Sequence, residues 1–308
     1  MQKPARRLWR FGGSGFLLVA MEKMMKLANP VDDRSVPAGA MQADRPPPPR
    51  PWTAIILAGQ RPEGDPMAAY CSVTYKALIP IAGQTMLERV VHALLASPDV
   101  GRIVIMAQSP EAMRDGLGAA LAEEERIAFV PSDDGIAKSV HAVAGTSVAP
   151  WPVLVTTADN ALLTGEMLDY FFRHHAGQDV AVGVVERRTM LSAYPGARRT
   201  WLKFRGGAYS GANLFALHNA AALPAIAFWS SVERDRKSGW KIYARFGPWL
   251  LFRAISRTIG FSQALAVAGQ RLLLRAEPIE LPFAEAAIDV DKPADLALVT
   301  SILERRAE

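Results

Sequence analysis

Carboxylate side chains stand at two widely separated points where an apolar segment of the chain ends. Asp159 follows the apolar run VLVTT at 153–157, and Asp289 and Asp291 alternate in the segment IDVDKP at 288–293. An extended backbone would place Asp289 and Asp291 on the same face. Proteins bind Mg²⁺ through one or two carboxylates together with substrate phosphates and water. We therefore predict that Asp159 and Asp291 share one Mg²⁺, with Asp289 adjacent and secondary.

Each carboxylate also has an ordinary structural interpretation. Asp159 could cap the turn that follows its strand. Asp291 could cap a helix that Pro293 opens at a tolerated first-turn position. The pairing favours the metal interpretation, because the two sites together supply the number of carboxylates that Mg²⁺ usually takes.

A glycine turn follows the first strand-like segment, in the sequence LAGQR at 57–61. In an open α/β sheet, ligands bind at the carboxyl ends of the strands, where the N–H groups of such a turn can approach phosphates. Arg61 and Lys76 would add positive charge around a triphosphate. The segment matches neither GxGxxG nor GxxxxGK[ST], so it is neither a dinucleotide fingerprint nor a P-loop. An ordinary turn with solvated basic residues is the alternative.

Strand-like and helix-like segments alternate from residue 52 onward, and they must position these side chains. Apolar strand-like runs lie at 53–57, 102–106, 126–130, 153–157 and 180–185, with helical periodicity at 85–95, 111–124, 136–144 and 165–174. Thr85 and Glu88 form a capping-box pattern at the first helix. Such alternation predicts an α/β fold with a Rossmann-like, doubly wound, mostly parallel sheet. A strand at 212–217, a helical stretch at 219–270, a strand near 272–281 and a helix from Pro293 complete the prediction.

The three motifs in this order resemble the MobA-like branch of the nucleotidyltransferase superfamily. They are LAG with Arg61 and Lys76, Asp159 after the central strand, and DVDKPADL before the last helix. That branch includes molybdenum-cofactor guanylyl- and cytidylyltransferases and is related to sugar-nucleotide synthetases. The resemblance covers about 52–218 and 272–305. It implies a fold of the nucleotide-diphospho-sugar transferase type with a helical insertion near the C-terminus. It also implies transfer of a nucleoside monophosphate from an NTP, GTP or CTP in those relatives, with Mg²⁺ as cofactor.

The resemblance also implies roles for individual residues. Arg61 and Lys76 would be the catalytic cations that hold the triphosphate with Gly59, and Asp159 and Asp291 would bind the metal. The implied nucleotide-binding residues are Leu57, Ala58, Gly59, Gln60 and Ser139, and the implied acceptor-binding residues are Arg199, Lys203, Gly211 and Asn213. One departure is clear, because the family loop usually reads G-G-x-G-x-R-M and this chain has GQRPEGDPMAAY.

Residues 1–50 have a composition of their own, with a basic start, a short apolar run and the proline tract RPPPPRP. We predict that they form a disordered extension or non-native upstream sequence before a start at Met41, and that 51–308 form the nucleotidyltransferase domain. The apolar run is far shorter than the ~20 residues of a membrane span. Cys71 is the sole cysteine, which excludes an internal disulfide. We expect a cytoplasmic protein.

The helical insertion at 219–270 is rich in aromatic residues, and its part 240–261 adds basic ones. Lys241, Arg245, Arg253 and Arg257 accompany six aromatic side chains there. This segment could contact a membrane surface peripherally or cover a lipid-like acceptor. A helical subdomain packed on the sheet, with basic side chains reaching water, is the simpler interpretation.

The most economical function is transfer of a nucleoside monophosphate from an NTP to a phosphorylated or hydroxyl-bearing small molecule, with release of pyrophosphate. A GT-A type glycosyltransferase is one alternative, but its D-x-D motif would need an acid at position 161, which is Ala161. A non-catalytic protein that binds nucleotides or docks on membranes is another. No segment resembles a nucleic-acid-binding module, and the net charge of +5 does not identify a partner.

Overall fold

The computed structural model describes residues 51–60, 64–133, 135–234 and 258–307. The extension 1–50, Arg61 and most of the basic aromatic segment 240–261 lie outside these residues. What the sequence predicts for them stays a prediction.

Strands and helices alternate along most of the described chain. The strands are β1 (Trp52–Leu57), β2 (Pro80–Ile81), β3 (Gln84–Thr85), β4 (Val100–Ala107), β5 (Ile127–Pro131), β6 (Val153–Thr157), β7 (Val180–Glu186), β8 (Leu202–Phe204), β9 (Gly207–Leu217) and β10 (Ala276–Glu280). The α-helices are α1 (Pro66–Tyr70), α2 (Met86–Ala96), α3 (Pro110–Asp115), α4 (Ala119–Ala122), α5 (Ile136–Val143), α6 (Gly165–His174), α7 (Arg187–Ala193), α8 (Leu223–Arg234), α9 (Phe261–Arg271) and α10 (Pro293–Ala307). Short 3₁₀ helices lie at Lys76–Leu78, Ala220–Ala222 and Ala284–Ala287.

Within the described residues, eight strands form one sheet in the order β10-β7-β9-β6-β1-β4-β5, with β8 paired to β9. β1 runs parallel to β4 and β6, β4 to β5, and β7 to β10, whereas β9 is antiparallel to β6, β7 and β8. Strands β4 and β5 lie on one side of β1, and β6, β9, β7 and β10 lie on the other, so the order in which the chain adds strands changes direction between β1 and β6. The predicted α/β class with a doubly wound, mostly parallel sheet is confirmed.

Alternate residues of the central strands pack on opposite faces, as the pleat requires. Ala54 and Ile56 face a core that contains Met86 of α2 and Phe171 of α6. Ile55 faces a second core, built with side chains of α5, α8 and α9. Because both faces are covered, β1 and β6 can be almost entirely apolar, which explains their continuous rather than alternating hydrophobicity.

The start of α2 follows the sequence pattern in detail. Glu88 N donates to Thr85 Oγ1 at 3.1 Å, and Thr85 N donates to Glu88 Oε2 at 2.6 Å. The capping box is therefore formed, and it fixes where the chain turns from the β2–β3 hairpin into the helix.

Three predicted boundaries are wrong. The helix predicted at 111–124 is two short helices, α3 and α4, because Gly116 and Gly118 interrupt it. The strand near 272–281 begins only at Ala276, after Leu273 adopts a positive φ of 59°. The strand predicted at 212–217 begins at Gly207 and is preceded by β8, because its glycines and serine hide the strand pattern.

The insertion 219–270 is helical where the structure describes it, in Ala220–Ala222, α8 and α9. Ile226 and Phe261 are buried in the second core with Val140 of α5. Arg205 N, in the turn between β8 and β9, donates to Ile259 O at 3.0 Å. The described ends of the insertion are thus part of the folded domain. No helix of the described residues is long and apolar enough to cross a membrane.

Candidate active site

Three segments meet at the carboxyl edge of the central strands. Leu57, the last residue of β1, lies opposite Met106 of β4 and Thr157 of β6. Val290 N donates to Asp159 O at 3.3 Å, which attaches the segment Asp289–Asp291 (the DVD segment) to the end of β6. The glycine turn, Asp159 and the DVD segment therefore share one edge of the sheet, where doubly wound folds bind ligands.

Lys76 joins the two predicted metal ligands. Its Nζ lies 2.7 Å from Oδ2 of Asp159 and 2.7 Å from Oδ1 of Asp291. These carboxylate oxygens can therefore be no farther apart than twice that distance. The side chains of Lys76 and Asp159 are 12% and 8% exposed. The structure brings the three residues together, although their roles in catalysis and metal binding stay predictions.

Charge and burial strongly perturb this group. Burial alone would lower the pKa of the Lys76 ammonium, but Asp159 and Asp291 outweigh it and raise that pKa above its ordinary value. Lys76 is therefore a permanent cation. Burial, with repulsion from Asp289 and Asp159, raises the pKa of Asp291 to about 6, against the opposing attraction of Lys76. Perturbation of this kind, at the carboxyl edge of an α/β sheet, is typical of functional sites.

Neighbouring polar groups fix the orientation of Asp159. Thr157 Oγ1 donates to Asp159 Oδ1 at 2.6 Å. Asn160 Nδ2 donates to Ala212 O at 3.1 Å, which ties the next residue to β9. The sequence analysis did not predict that Thr157 orients Asp159. The available signal was its position, two residues before Asp159 at the end of a buried strand.

The glycine turn is covered by a glutamine that the sequence did not single out. Gln60 N donates to Gln108 Oε1 at 2.9 Å. A Cβ built on Gly59 would meet the Gln108 carboxamide at 3.0 Å, so the absence of a side chain at 59 permits this close approach. Leu57 and Ala58 lie at the end of β1 and lead into the turn. The described part of the segment, Ala58–Gln60, thus leaves the sheet at the end of β1, and the nucleotide-binding role of these residues stays a prediction.

Ser139 lies in α5 and is buried, and its hydroxyl bonds to the preceding loop. Its Oγ accepts a hydrogen bond from Asp133 N at 2.9 Å and donates to Gly135 O at 2.9 Å. In this position the hydroxyl bonds to the loop around Gly135. Its contact with a nucleotide base, as the resemblance implied, stays a prediction.

Arg199 forms ion pairs with the DVD segment instead of pointing into open solvent. Its Nη1 lies 2.6 Å from Oδ1 of Asp289, and its Nη2 lies 3.2 Å from Oδ1 of Asp295. Asp295 Oδ2 in turn accepts from Asp291 N at 3.2 Å. The guanidinium predicted to meet the acceptor is therefore engaged with carboxylates of the protein. Asp289 pairs with Arg199, whereas Asp291 pairs with Lys76.

The other predicted acceptor residues lie on β8 and β9. Lys203 is exposed on β8, and Gly211 pairs with Val184 at the carboxyl end of β7. Asn213 adopts a positive φ of 53° within a β-bulge, and its Nδ2 lies 3.5 Å from Oδ2 of Asp289. The bulge thus turns Asn213 toward the DVD segment. Contact of these residues with an acceptor stays a prediction.

Comparison with known proteins assigns the family. The sequence pattern of the MobA-like NTP transferase domain matches residues 54–249. The chain belongs to that family. This MobA-like domain is therefore related to enzymes that transfer nucleotidyl groups, as the resemblance of its motifs predicted.

Known relatives resemble this MobA-like domain to different extents. A hypothetical transferase from Thermus thermophilus is 25% identical, with a TM-score of 0.68 over 80% of this chain and 99% of that one. A 4-diphosphocytidyl-2C-methyl-D-erythritol synthase, at 15% identity and a TM-score of 0.50, shares the fold and covers 82% of this chain and 98% of its own. The bifunctional protein GlmU of an Exiguobacterium species is 32% identical over 132 residues, or 43% of this chain. That match spans only 28% of GlmU.

Proposed function

We propose that this chain is a Mg²⁺-dependent nucleotidyltransferase that moves a nucleoside monophosphate from an NTP to a phosphorylated or hydroxyl-bearing acceptor and releases pyrophosphate. The observation that carries the proposal is the position of the Lys76 ammonium between Asp159 and Asp291, at the carboxyl edge of β1 and β6. A fixed cation beside two carboxylates is suited to a triphosphate that arrives with a divalent metal ion.

The residues present fit Mg²⁺. Asp159 and Asp291 both contact one ammonium, so their carboxylates already lie close enough to bind one Mg²⁺ together. Among the described residues no group of three or more His, Cys, Asp or Glu side chains could hold a metal ion. Mg²⁺ usually takes one or two carboxylate ligands from the protein, and phosphate oxygens and water complete its coordination, whereas zinc and calcium sites take most of their ligands from the protein. Bound there, the ion would neutralise phosphate charge.

The chemistry asks little of the protein beyond positioning and charge. An acceptor oxygen forms a bond to the α-phosphorus, and the bond from that phosphorus to the bridging β-phosphate oxygen breaks. Pyrophosphate leaves with the electron pair. Lys76 offers a positive charge to the triphosphate, because Asp159 and Asp291 raise the pKa of its ammonium above the ordinary value. A phosphate monoester acceptor is already ionised near neutral pH, so it needs no general base. A hydroxyl acceptor would have to release its proton, to solvent or to a nearby carboxylate, as the new bond forms.

A pyrophosphate-release screen tests the proposal. ATP, GTP, CTP and UTP would each be incubated with the protein, Mg²⁺ and pooled phosphorylated metabolites. Pyrophosphate that appears together with a nucleotidylated product, and disappears in the Asp159→Asn variant, supports it. Release of a nucleoside diphosphate from a nucleotide sugar would indicate a glycosyltransferase instead. NTP binding without turnover across all acceptors would indicate a non-catalytic nucleotide-binding protein.

A further inference from the structure

Gln60 connects the glycine turn to the segment that carries Lys76. Its Nε2 donates to Thr74 O at 2.9 Å, and its Oε1 accepts from Lys76 N at 3.4 Å. One carboxamide therefore uses both of its ends across 14 and 16 residues of chain. Few other side chains could do this, because the task needs an acceptor and a donor on the same planar group.

The contact to Lys76 replaces a helix cap. Lys76 begins the 3₁₀ helix Lys76–Leu78, and the preceding Tyr75 makes no side-chain hydrogen bond to cap it. The first N–H groups of a helix have no partner within the helix. Gln60 Oε1 provides one for the Lys76 N–H, and so ties the first residue of this short helix to the end of β1.

Gln108 in turn holds Gln60. It lies two residues past Met106, whose pairing with Leu57 fixes β4 against β1. Its Oε1 accepts from Gln60 N at 2.9 Å, and its carboxamide packs closely on Gly59. The path from β4 to Lys76 is therefore continuous. Gln108 directly follows strand β4 and holds the Gln60 backbone, and the Gln60 side chain contacts the Lys76 backbone.

We propose that Gln60 and Gln108 are positioning residues that set the location of the Lys76 backbone, so that its ammonium reaches Asp159 and Asp291 together. The catalytic consequence of this inference rests on the proposed function. The structural part, that Lys76 is held through Gln60, does not. Lys76 is useful only if a long, flexible side chain begins from a fixed point, and misplacement of a catalytic group by about 1 Å can lower a rate about 100-fold.

Kinetics of three variants provide the first test. Gln60→Ala should lower kcat about 10- to 100-fold with little change in acceptor KM, because it shifts Lys76 and not the acceptor side. Gln108→Ala should have a smaller effect of the same kind. Gln263→Ala, an exposed glutamine on α9, is the matched control and should behave as wild type. A rise in the KM for NTP with kcat unchanged would show that the glutamines bind nucleotide directly, and would overturn the proposal.

A double-mutant comparison asks whether Gln60 acts through Lys76. In a Lys76→Met background, Gln60→Ala should cause no further loss of kcat, because the group that it positions is gone. Independent effects that multiply in the double variant would contradict the relay.

Amide hydrogen exchange separates this inference from the proposed function. In the wild type the Lys76 amide should exchange slowly, and in Gln60→Ala it should exchange faster at an unchanged melting temperature. That result would support the relay even if no NTP were turned over, in which case the proposed function alone would fail. Equal exchange at Lys76 in wild type and Gln60→Ala would overturn the relay, whatever the activity.

Discussion

The guanidinium of Arg199 lies 2.6 Å from Asp289 through Nη1, and the same group reaches Asp295 at 3.2 Å through Nη2. Only 8% of the Arg199 side chain is exposed. The planar guanidinium brings two nitrogens near two different carboxylates, which the single ammonium of lysine cannot do with the same geometry. Arg199 therefore fastens the segment before β8 to the segment that carries Asp291. The two aspartates of the DVD segment therefore have different partners: Asp289 pairs with Arg199, and Asp291 pairs with Lys76.

Arg199→Met should destabilise the protein by about 3 kcal/mol, because it leaves Asp289 and Asp295 without their buried partner. Arg199→Lys should recover part of the loss by restoring the charge without the planar guanidinium. Urea unfolding measures both, and Arg198→Met, an exposed neighbour, serves as the control with a change under about 0.5 kcal/mol. Unchanged stability with a large rise in acceptor KM would instead support the acceptor role that the resemblance implied.

The three aspartates should differ in activity. Asp159→Asn and Asp291→Asn should each lower kcat by about 100-fold or more. Each removes one of the two carboxylates proposed to hold Mg²⁺, whose charge would stabilise the transition state. Asp289→Asn should retain more activity, because Asp289 contacts Arg199 and not Lys76. Pyrophosphate release per folded protein measures this, with Asp115→Asn on the surface of α3 as control. Equal losses in all three variants would show that Asp289 is a ligand in its own right.

The sequence was informative where local pattern and strand direction suffice. Runs such as VLVTT predict buried strands, and parallel strands bring their carboxyl ends to one edge, so the proximity of Asp159 and the glycine turn followed without coordinates. The contacts of Gln60 with Gln108, and of Arg199 with Asp289, join residues 48 and 90 positions apart. No periodicity encodes such pairs. Ser139 illustrates the same limit, because a small polar residue on a helix can meet a ligand or its own loop with the same sequence.

Acid should lower the stability of the protein through Asp179, which lies at the amino end of β7, across the sheet from the candidate active site. Its carboxylate accepts from Arg275 N at 2.8 Å and from Asn219 Nδ2 at 3.2 Å, joining the start of β10 to the chain after β9. The Arg275 N–H, chiefly, lowers the pKa of Asp179 below its ordinary value, against the effect of burial. A lowered folded pKa gives stability that is present above the unfolded pKa and is lost as pH falls through the folded pKa.

Asp179→Asn should therefore destabilise the protein by about 0.5–2 kcal/mol at pH 7, because Asn keeps one acceptor and loses the charge that strengthens these hydrogen bonds. The difference from wild type should begin to shrink below about pH 4, where the carboxylate of the unfolded chain takes up a proton, and should be lost as pH falls through the lower folded pKa. Urea unfolding at pH 7 and pH 3 measures the difference. A penalty that does not depend on pH would show that shape, and not charge, is what Asp179 contributes.

Removal of divalent metal should abolish turnover while leaving the fold intact. In the wild type the Lys76 ammonium lies between Asp159 and Asp291, so these carboxylates are compensated before any metal arrives. A chelator should lower pyrophosphate release at least about 100-fold, by analogy with the loss of other transition-state charge stabilisation. It should shift the melting temperature by less than about 2 °C, because the metal is not needed to neutralise the site. Restored Mg²⁺ should recover the activity.

The effect of Mg²⁺ on the melting temperature can be compared between the wild type and a Lys76→Met variant. Without the ammonium, Asp159 and Asp291 face each other partly buried, so the metal-free variant should melt several degrees lower. Mg²⁺ should then raise its melting temperature more than that of the wild type, since the ion replaces the missing positive charge. Lys138→Met, which removes an exposed ammonium paired with Asp133, should show neither effect. If Mg²⁺ stabilised the wild type and Lys76→Met equally, the ion would bind away from Lys76, and the shared site of Asp159 and Asp291 would be excluded.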